Sequence, residues 1–344
     1  MSVYTQLTSA EVTDFLQQYS LGEYQDHQGI SAGVENTNFF VTSKNADSKQ
    51  EDKAQRYVLT IFEHHNPQQV ESFIKIGRHL ADRGVPVPGP IADNTGLFLH
   101  QLKGKPAILC PCLPGSHPET LTTQHCQQIG AALARFHIAG GGLDELEENN
   151  RGLSWWPQVG QELLQKTKMQ GGLEVALLSD EQQDVLADEI EFQQSHSKLW
   201  YDLPRGLVHG DLFHDNALFE SNEKEGDQLG AILDIYNACQ DAWLFDLAIV
   251  ANDWCADSNG HWQEDRFPAL VAGYQSVREL SELEQQAWGL CLRGAALRFW
   301  LSRLLTQQHQ AEAIAKDPKG SLVTTTKDPM EYFLKLVRHR ETEY

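Results

Sequence analysis

Leu207-Val208-His209-Gly210-Asp211-Leu212-Phe213-His214-Asp215-Asn216-Ala217-Leu218-Phe219 is the stretch on which the fold turns. It has the form H-x-D-x-x-x-x-N set between two apolar, strand-like runs. Further on, Ala231-Ile232-Leu233-Asp234-Ile235-Tyr236 puts another aspartate at the end of an apolar run. A lone aspartate at a strand end is usually a turn former. The ordered set says more, because phosphoryl transfer needs these residue types. A hydroxyl nucleophile needs a carboxylate to orient it and take its proton, which fits Asp211. A triphosphate needs its charge neutralised by magnesium, a hard cation that prefers oxygen ligands. Asn216 and Asp234 fit that role, and His209 would brace the loop.

Working outward, the chain before this stretch reads as a small sheet. Residues 9–19 fit a helix, with Val12, Phe15, Leu16 and Tyr19 on one face. A glycine-containing turn over 29–38 leads into a strand at Phe39-Phe40-Val41, and Tyr57–Phe62 reads as a second strand, giving an antiparallel hairpin. Pro67 opens a helix over 67–83, and Gly84-Val85-Pro86-Val87-Pro88-Gly89-Pro90 ends it. Short strands follow near 96–102 and 106–110. Beyond residue 113 helices dominate, at about 122–139, 157–168, 180–198, 243–256, 264–276, 281–308 and 328–338. Gly206–His209 is expected to pair with Ala217–Phe219, with Leu229–Ile235 on its own side. The expected class is α+β: a small antiparallel N-terminal lobe over 1–113 and a larger helical lobe over 114–344, with the active site in the cleft.

Composition narrows the partners. The 344 residues carry 27 Lys plus Arg against 48 Asp plus Glu, a formal charge of −21, which repels nucleic acid and anionic membranes. The N-terminus lacks a secretory pattern, and the densest apolar stretch, near 286–305, is interrupted by Arg293, Arg298 and Arg303. A cytoplasmic protein is the expectation. The cysteines at 110, 112, 126, 239, 255 and 291 lack zinc-site spacing and read as buried free thiols.

The loop and the later aspartate resemble the catalytic loop and metal-binding aspartate of protein kinases. The closer likeness is to the aminoglycoside phosphotransferase and choline kinase superfamily, whose loop reads H-G-D-x-x-x-x-N. Asp241-Ala242-Trp243-Leu244-Phe245-Asp246-Leu247-Ala248 matches that superfamily's D-x-x-x-x-D-L-A segment. The likeness implies that Asp246 supports the loop by hydrogen bonding. It also implies that the hairpin containing Gly33 and Asn38 covers ATP phosphates, and that backbone groups around Cys110 and Cys112 border adenine.

One position departs from the kinase pattern. Where a strand lysine normally meets the α/β-phosphates, Val58-Leu59-Thr60 offers threonine, which leaves Glu71 in the next helix without its usual partner. The runs Gly33–Phe40, Val58–Glu63, Gly273–Arg278, Arg293–Phe299 and Lys327–Tyr332 together resemble the homoserine kinases within this superfamily, where that threonine is familiar. This resemblance covers nearly the whole chain and implies ATP- and Mg2+-dependent phosphorylation of L-homoserine in threonine biosynthesis. Kinases for choline, methylthioribose or aminoglycosides, and a regulatory nucleotide-binding pseudokinase, stand as the alternatives. A zwitterionic substrate needs a cation for its carboxylate. Arg293, Arg298 and Arg303 point to three faces of one helix, and Arg298, among small and aromatic neighbours, is the first choice. An internal acidic partner is the commoner fate of a buried arginine.

Overall fold

Strict alternation in Thr37–Lys44 (β2) builds the centre of the first unit. Thr37, Phe39, Val41 and Ser43 are buried and their neighbours half-buried, the period-two pattern of a strand with one face on a core. The computed structural model describes residues 4–31, 35–44, 54–169, 178–222, 224, 226–263, 265–316 and 327–342. The chain divides into two compact units. The first comprises residues 1–116 with the returning segments 218–221 and 230–236. The second holds 117–217, 222–229 and 237–344. A single boundary at 113 misses the returning segments, because β pairing after the motif brings them back: Ser116 and Phe219 exchange backbone hydrogen bonds of 2.9 and 2.8 Å.

In the first unit, α1 (Ser9–Leu16) is closed by a reciprocal box between Thr8 and Glu11. Strands β1 (Glu23–Ile30), β2, β3 (Gln55–Ile61), β4 (His100–Leu102) and β5 (Lys105–Pro111) form an antiparallel sheet in the order β1-β2-β3-β5-β4. Its core gathers Phe15, Leu16, Phe39, Val41, Leu59, Ile61 and Leu109. Between β3 and β4, α2 (Pro67–Ala81) starts at Asn66, whose side chain and that of Gln69 cap each other's backbone N–H. Strand β1 was not foreseen. Glu23-Tyr24-Gln25-Asp26-His27-Gln28 is polar throughout and no residue in it is buried, so only its pairing with β2 reveals it.

The second unit contains α3 (Thr123–Ala139), α4 (Trp155–Met169), α5 (Asp180–Ser195), α6 (Ser197–Asp202) and β6 (Arg205–Val208). After β7 (Ala217–Glu220) and β8 (Gln228–Ile232) come β9 (Cys239–Ala242), α7 (Trp243–Trp254), α8 (Arg266–Gln275), α9 (Glu282–Gln286), α10 (Trp288–Lys316) and α11 (Pro329–Glu341). The expected pairing of Gly206–His209 with Ala217–Phe219 is wrong: β6 pairs with β9, and β7 with β8. The expected single helix over 281–308 is two helices, parted at Ala287, because Ser281 and Glu284 cap a separate short turn. All six cysteines are free thiols, but Cys112 and Cys239 are only half-buried. Among the described residues no helix is long and apolar enough to cross a membrane.

Candidate active site

In the second unit, residues 209–216 leave β6 as a loop whose backbone groups are met by fixed side chains. His209 and Gly210 donate their N–H groups to Asp246 Oδ2 and Oδ1 at 2.7 and 2.8 Å. Asp211 N–H donates to His209 Nδ1 at 3.3 Å, and Phe213 N–H to the Asp211 carbonyl at 2.8 Å. His214 N–H donates to Asp253 Oδ2 at 2.7 Å. The Gly210 carbonyl accepts from Arg298 Nη1 at 2.7 Å and the Leu212 carbonyl from Trp254 Nε1 at 3.0 Å. Buried backbone polar groups must find partners, and here many of the partners are charged or rigid. Such bonds contribute about 1.5–3 kcal/mol each where one member is ionised.

Gly210 is required for two reasons. Its φ is +76°, the left-handed region. A Cβ there would also lie 3.0 Å from the Asn237 carbonyl oxygen. His209 is fully buried. Asp211 is half-buried, and Asn237 Nδ2 lies 3.4 Å from its Oδ2. Asn216 donates Nδ2 to the Asp211 carbonyl at 2.9 Å, which commits the nitrogen and leaves its Oδ1 as a hard oxygen donor.

Asp246, on the first turn of α7, is completely buried and also accepts from His137 Nε2 at 3.0 Å. Burial pushes its carboxyl up, but the bonds from His137 and the loop outweigh this and hold it below the usual aspartate range. Burial pushes His137 down, against the pull of Asp246, so the imidazole stays neutral. His137 was not singled out from sequence. Its only signal was a polar residue inside an otherwise apolar helix face.

Of the three arginines, two have acidic partners. Arg293 pairs with the buried Glu189 through Nη2 at 2.6 Å and Nε at 3.1 Å. Arg303 donates to Glu331 and to the Asp328 carbonyl, both at 2.7 Å. Arg298 differs. It is buried, donates to the loop at Gly210, and its Nε has no hydrogen-bond partner among the described residues. Burial lowers its pKa, opposed first by Asp211.

The remaining candidates belong to the first unit. Asp234 is exposed and has φ +56°, a conformation an aspartate adopts at a cost and one that often marks a functional position. Thr60 is buried on β3 opposite Asn38 on β2, and its hydroxyl donates to Asn38 Oδ1 at 2.8 Å. A neutral cross-strand pair thus occupies the position of the usual lysine, and Glu71 is simply exposed on α2. Gly33 lies outside the described residues. Cys110 is buried on β5 and burial pushes its thiol up to about 12. The Cys112 N–H is already spent on the Arg56 carbonyl at 3.2 Å, so it is not open to a base edge.

Residues 26–280 match the phosphotransferase enzyme family. A homoserine kinase of Methylobacillus flagellatus is 38% identical over 340 residues, covering 98% of this chain and 95% of the relative. A homoserine kinase of Cupriavidus pinatubonensis is 40% identical over 308 residues, 88% of each chain. An amicoumacin kinase solved with AMP-PNP and Ca2+ superposes with a TM-score of 0.63 over 97% of this chain and 92% of its own, at 14% identity, a likeness of fold.

Proposed function

The chain belongs to the phosphotransferase enzyme family, and from that membership we propose that it is a kinase transferring the γ-phosphate of ATP to the side-chain hydroxyl of L-homoserine, yielding O-phospho-L-homoserine and ADP. What carries the reading is a braced H-G-D-x-x-x-x-N loop in a chain that matches a homoserine kinase over 98% of its length. The place of the reaction is threonine biosynthesis, in the cytoplasm, where six free thiols stay reduced.

Asp211 orients the substrate hydroxyl and accepts its proton as the new O–P bond forms and the bond to the β-phosphate oxygen breaks. The proton then passes to solvent. A carboxylate serves here only if its loop is held still, which is the work of Asp246, His209 and Arg298. Asn216 and Asp234 would hold magnesium, which supplies charge neutralisation on the triphosphate when bound. An amide oxygen and an exposed carboxylate are the hard oxygen donors that ion prefers. Asn38 is assigned to phosphate contact through its amide, and the backbone near Cys110 and Cys112 to the adenine edge, with the Cys112 N–H excluded.

Arg298 is assigned to the substrate carboxylate. Support comes from the two neighbouring arginines being spent on Glu189 and Glu331, while Arg298 keeps an unused donor and faces the field of Asp211. Turnover across homoserine, choline, methylthioribose and aminoglycosides, read as ADP release, tests the assignment. Homoserine is expected to give the highest kcat/KM. A higher value for any other acceptor would overturn the substrate, and ATP binding without transfer to any acceptor would make the protein a pseudokinase.

A further inference from the structure

Asp246 holds the loop, and His137 holds Asp246. What holds His137 lies one layer further out, in the run Gly273-Tyr274-Gln275-Ser276-Val277-Arg278, to which the reaction itself assigns nothing. Tyr274 on α8 and Arg278 just beyond it are four residues apart, so they share one helical side. That side faces α3 at very short range. A Cβ on Gly130 would lie 2.2 Å from the Leu270 carbonyl oxygen, and one on Gly273 would lie 2.0 Å from that of Gln127. Only glycine permits this approach, and it brings Tyr274 onto His137.

The contacts then form a single file. Arg278 Nη1 and Nη2 donate to Glu284 Oε1 and Oε2 at 2.9 and 3.0 Å. Arg278 Nη1 also donates to the Tyr274 hydroxyl oxygen at 3.3 Å. That hydroxyl lies 2.8 Å from His137 Nδ1. His137 Nε2 lies 3.0 Å from Asp246 Oδ2, and Asp246 receives the two loop N–H groups. Trp243 stacks on the His137 ring at 5.9 Å and 13°, and the Arg278 guanidinium lies 4.5 Å from the centroid of a Trp243 ring. Glu284 is fully buried and also accepts from Ser281 N and Oγ, both at 2.9 Å.

The direction of every proton in this file follows from its two ends. A guanidinium only donates, so the Tyr274 oxygen accepts from Arg278, and His137 Nδ1 is the acceptor in reach of its own hydrogen. Nδ1 therefore accepts, and the imidazole proton sits on Nε2. At the other end Asp246 only accepts, which again demands Nε2–H. The opposite tautomer would set a bare nitrogen lone pair against a buried carboxylate and would leave the phenol hydrogen without an acceptor.

We propose that Tyr274 and Arg278 are positioning residues: they fix His137 as the neutral Nε2–H tautomer, and through Asp246 they keep the Asp211 loop in its working geometry. The proposal rests on the reading of Asp211 as the base, but its structural half does not. Glu284, set by the cap of α9, anchors the outer end.

Nitrogen-15 NMR of the histidine rings, with His137 assigned through bonds, reads the tautomer directly. The expected state is neutral with the proton on Nε2. A proton on Nδ1, or a charged ring at neutral pH, overturns the proposal whatever the enzyme phosphorylates. Tyr274→Phe keeps the ring and removes the hydroxyl. It is expected to shift the Nδ1 resonance to that of an unbonded imidazole nitrogen, to leave Asp246 alone holding the ring, and to lower kcat about tenfold, with KM for ATP and acceptor within about twofold. A merely structural role would lower melting temperature without lowering kcat in the folded protein, and an unchanged kcat overturns the positioning role. Arg278→Lys, which still donates to the phenol, is expected to retain more kcat than Arg278→Met. Equal losses in the two overturn the role of Arg278. If Tyr274→Phe does not fold, the Arg278 pair decides by the same readouts. Failure of wild type on homoserine refutes only the substrate, and the kcat comparisons then use the acceptor that the panel identifies.

Discussion

The loop of Asp211 and the strand of Thr60 are built on opposite principles. Around the loop, charge lies inside the protein: Asp246 is completely buried and Arg298 nearly so, and each is bonded to backbone that must not move. Around Thr60, where a kinase usually keeps a lysine, the interior is neutral, with one hydroxyl-to-amide bond across two strands. Buried charge is expensive and stays only where it has partners. In this protein Asp246 and Arg298 are two such charges, and both are bonded to the loop of the proton acceptor. At Thr60 the sheet unit offers a hydrogen bond to Asn38, with no cation bonded there among the described residues. The contrast can be broken at either end.

The largest effect is expected at the loop's own carboxylate. Asp211→Asn keeps the shape and loses the basicity, so kcat should fall by about 10²–10⁴-fold with an unchanged circular dichroism melt. Activity within about threefold of wild type would remove Asp211 from the role of base.

Asp246→Asn should come next. The substituted amide must present a nitrogen to at least one existing donor, His137 Nε2–H or the N–H of His209 or Gly210. Breaking a buried charged network of this kind typically costs about 3–5 kcal/mol. The variant should melt well below wild type, and the fraction that remains folded should lose kcat more than it gains in either KM. Wild-type kcat in a folded Asp246→Asn protein would show that the loop holds itself.

Arg298→Lys separates two duties at a single residue. Loss of the substrate carboxylate contact would raise KM for homoserine by roughly one to two powers of ten and spare KM for ATP. Loss of the Gly210 carbonyl bond alone would lower kcat and leave both KM values in place. A variant unchanged in all three constants would assign Arg298 to neither duty.

At the sheet, Thr60→Lys should bring no gain in kcat/KM for ATP and should lower stability by about 1–3 kcal/mol, because the position is buried. A clear rise would mean that the site lacks its lysine. Denaturant titration across pH gives the smallest and smoothest effect. Burial pushes His339 down to about 3 and also lowers His137, both in the helical unit. The unfolded chain protonates these rings near 6.5 while the folded chain does not, so stability should fall as pH drops below that value. For His339 this costs about 1.4 kcal/mol per pH unit there, and His137 acts in the same sense. His214, raised first by its bond to Asp253, acts in the opposite sense, its contribution lost as pH rises through its folded value, but it is half-exposed and screened. Flat stability between pH 7 and 5 would contradict buried neutral histidines.

Local chemistry made part of this molecule legible. Apolar periodicity marked most helices within a few residues, Pro67 announced α2, and the Asp211 loop stood out because its residue types, order and spacing are dictated by one reaction. The Ser281-Glu282-Leu283-Glu284 run was also legible in principle as a capping box, although the helix was read straight through it.

What the sequence could not carry was partnership. β1 has no buried residue and exists through its pairing with β2. β6 pairs with the distant β9 and passes over the nearer β7. Three arginines alike on paper go to Glu189, to Glu331 and to the catalytic loop. The file from Arg278 to Asp246 joins residues from α3, α7 and α8 and the turn beyond α8. Residue types and near-neighbour spacing determine what a side chain can do, since propensity, capping and proton affinity are local properties. Which donor meets which acceptor depends on distances across the core, and those are set only when helices and strands far apart in the chain pack together.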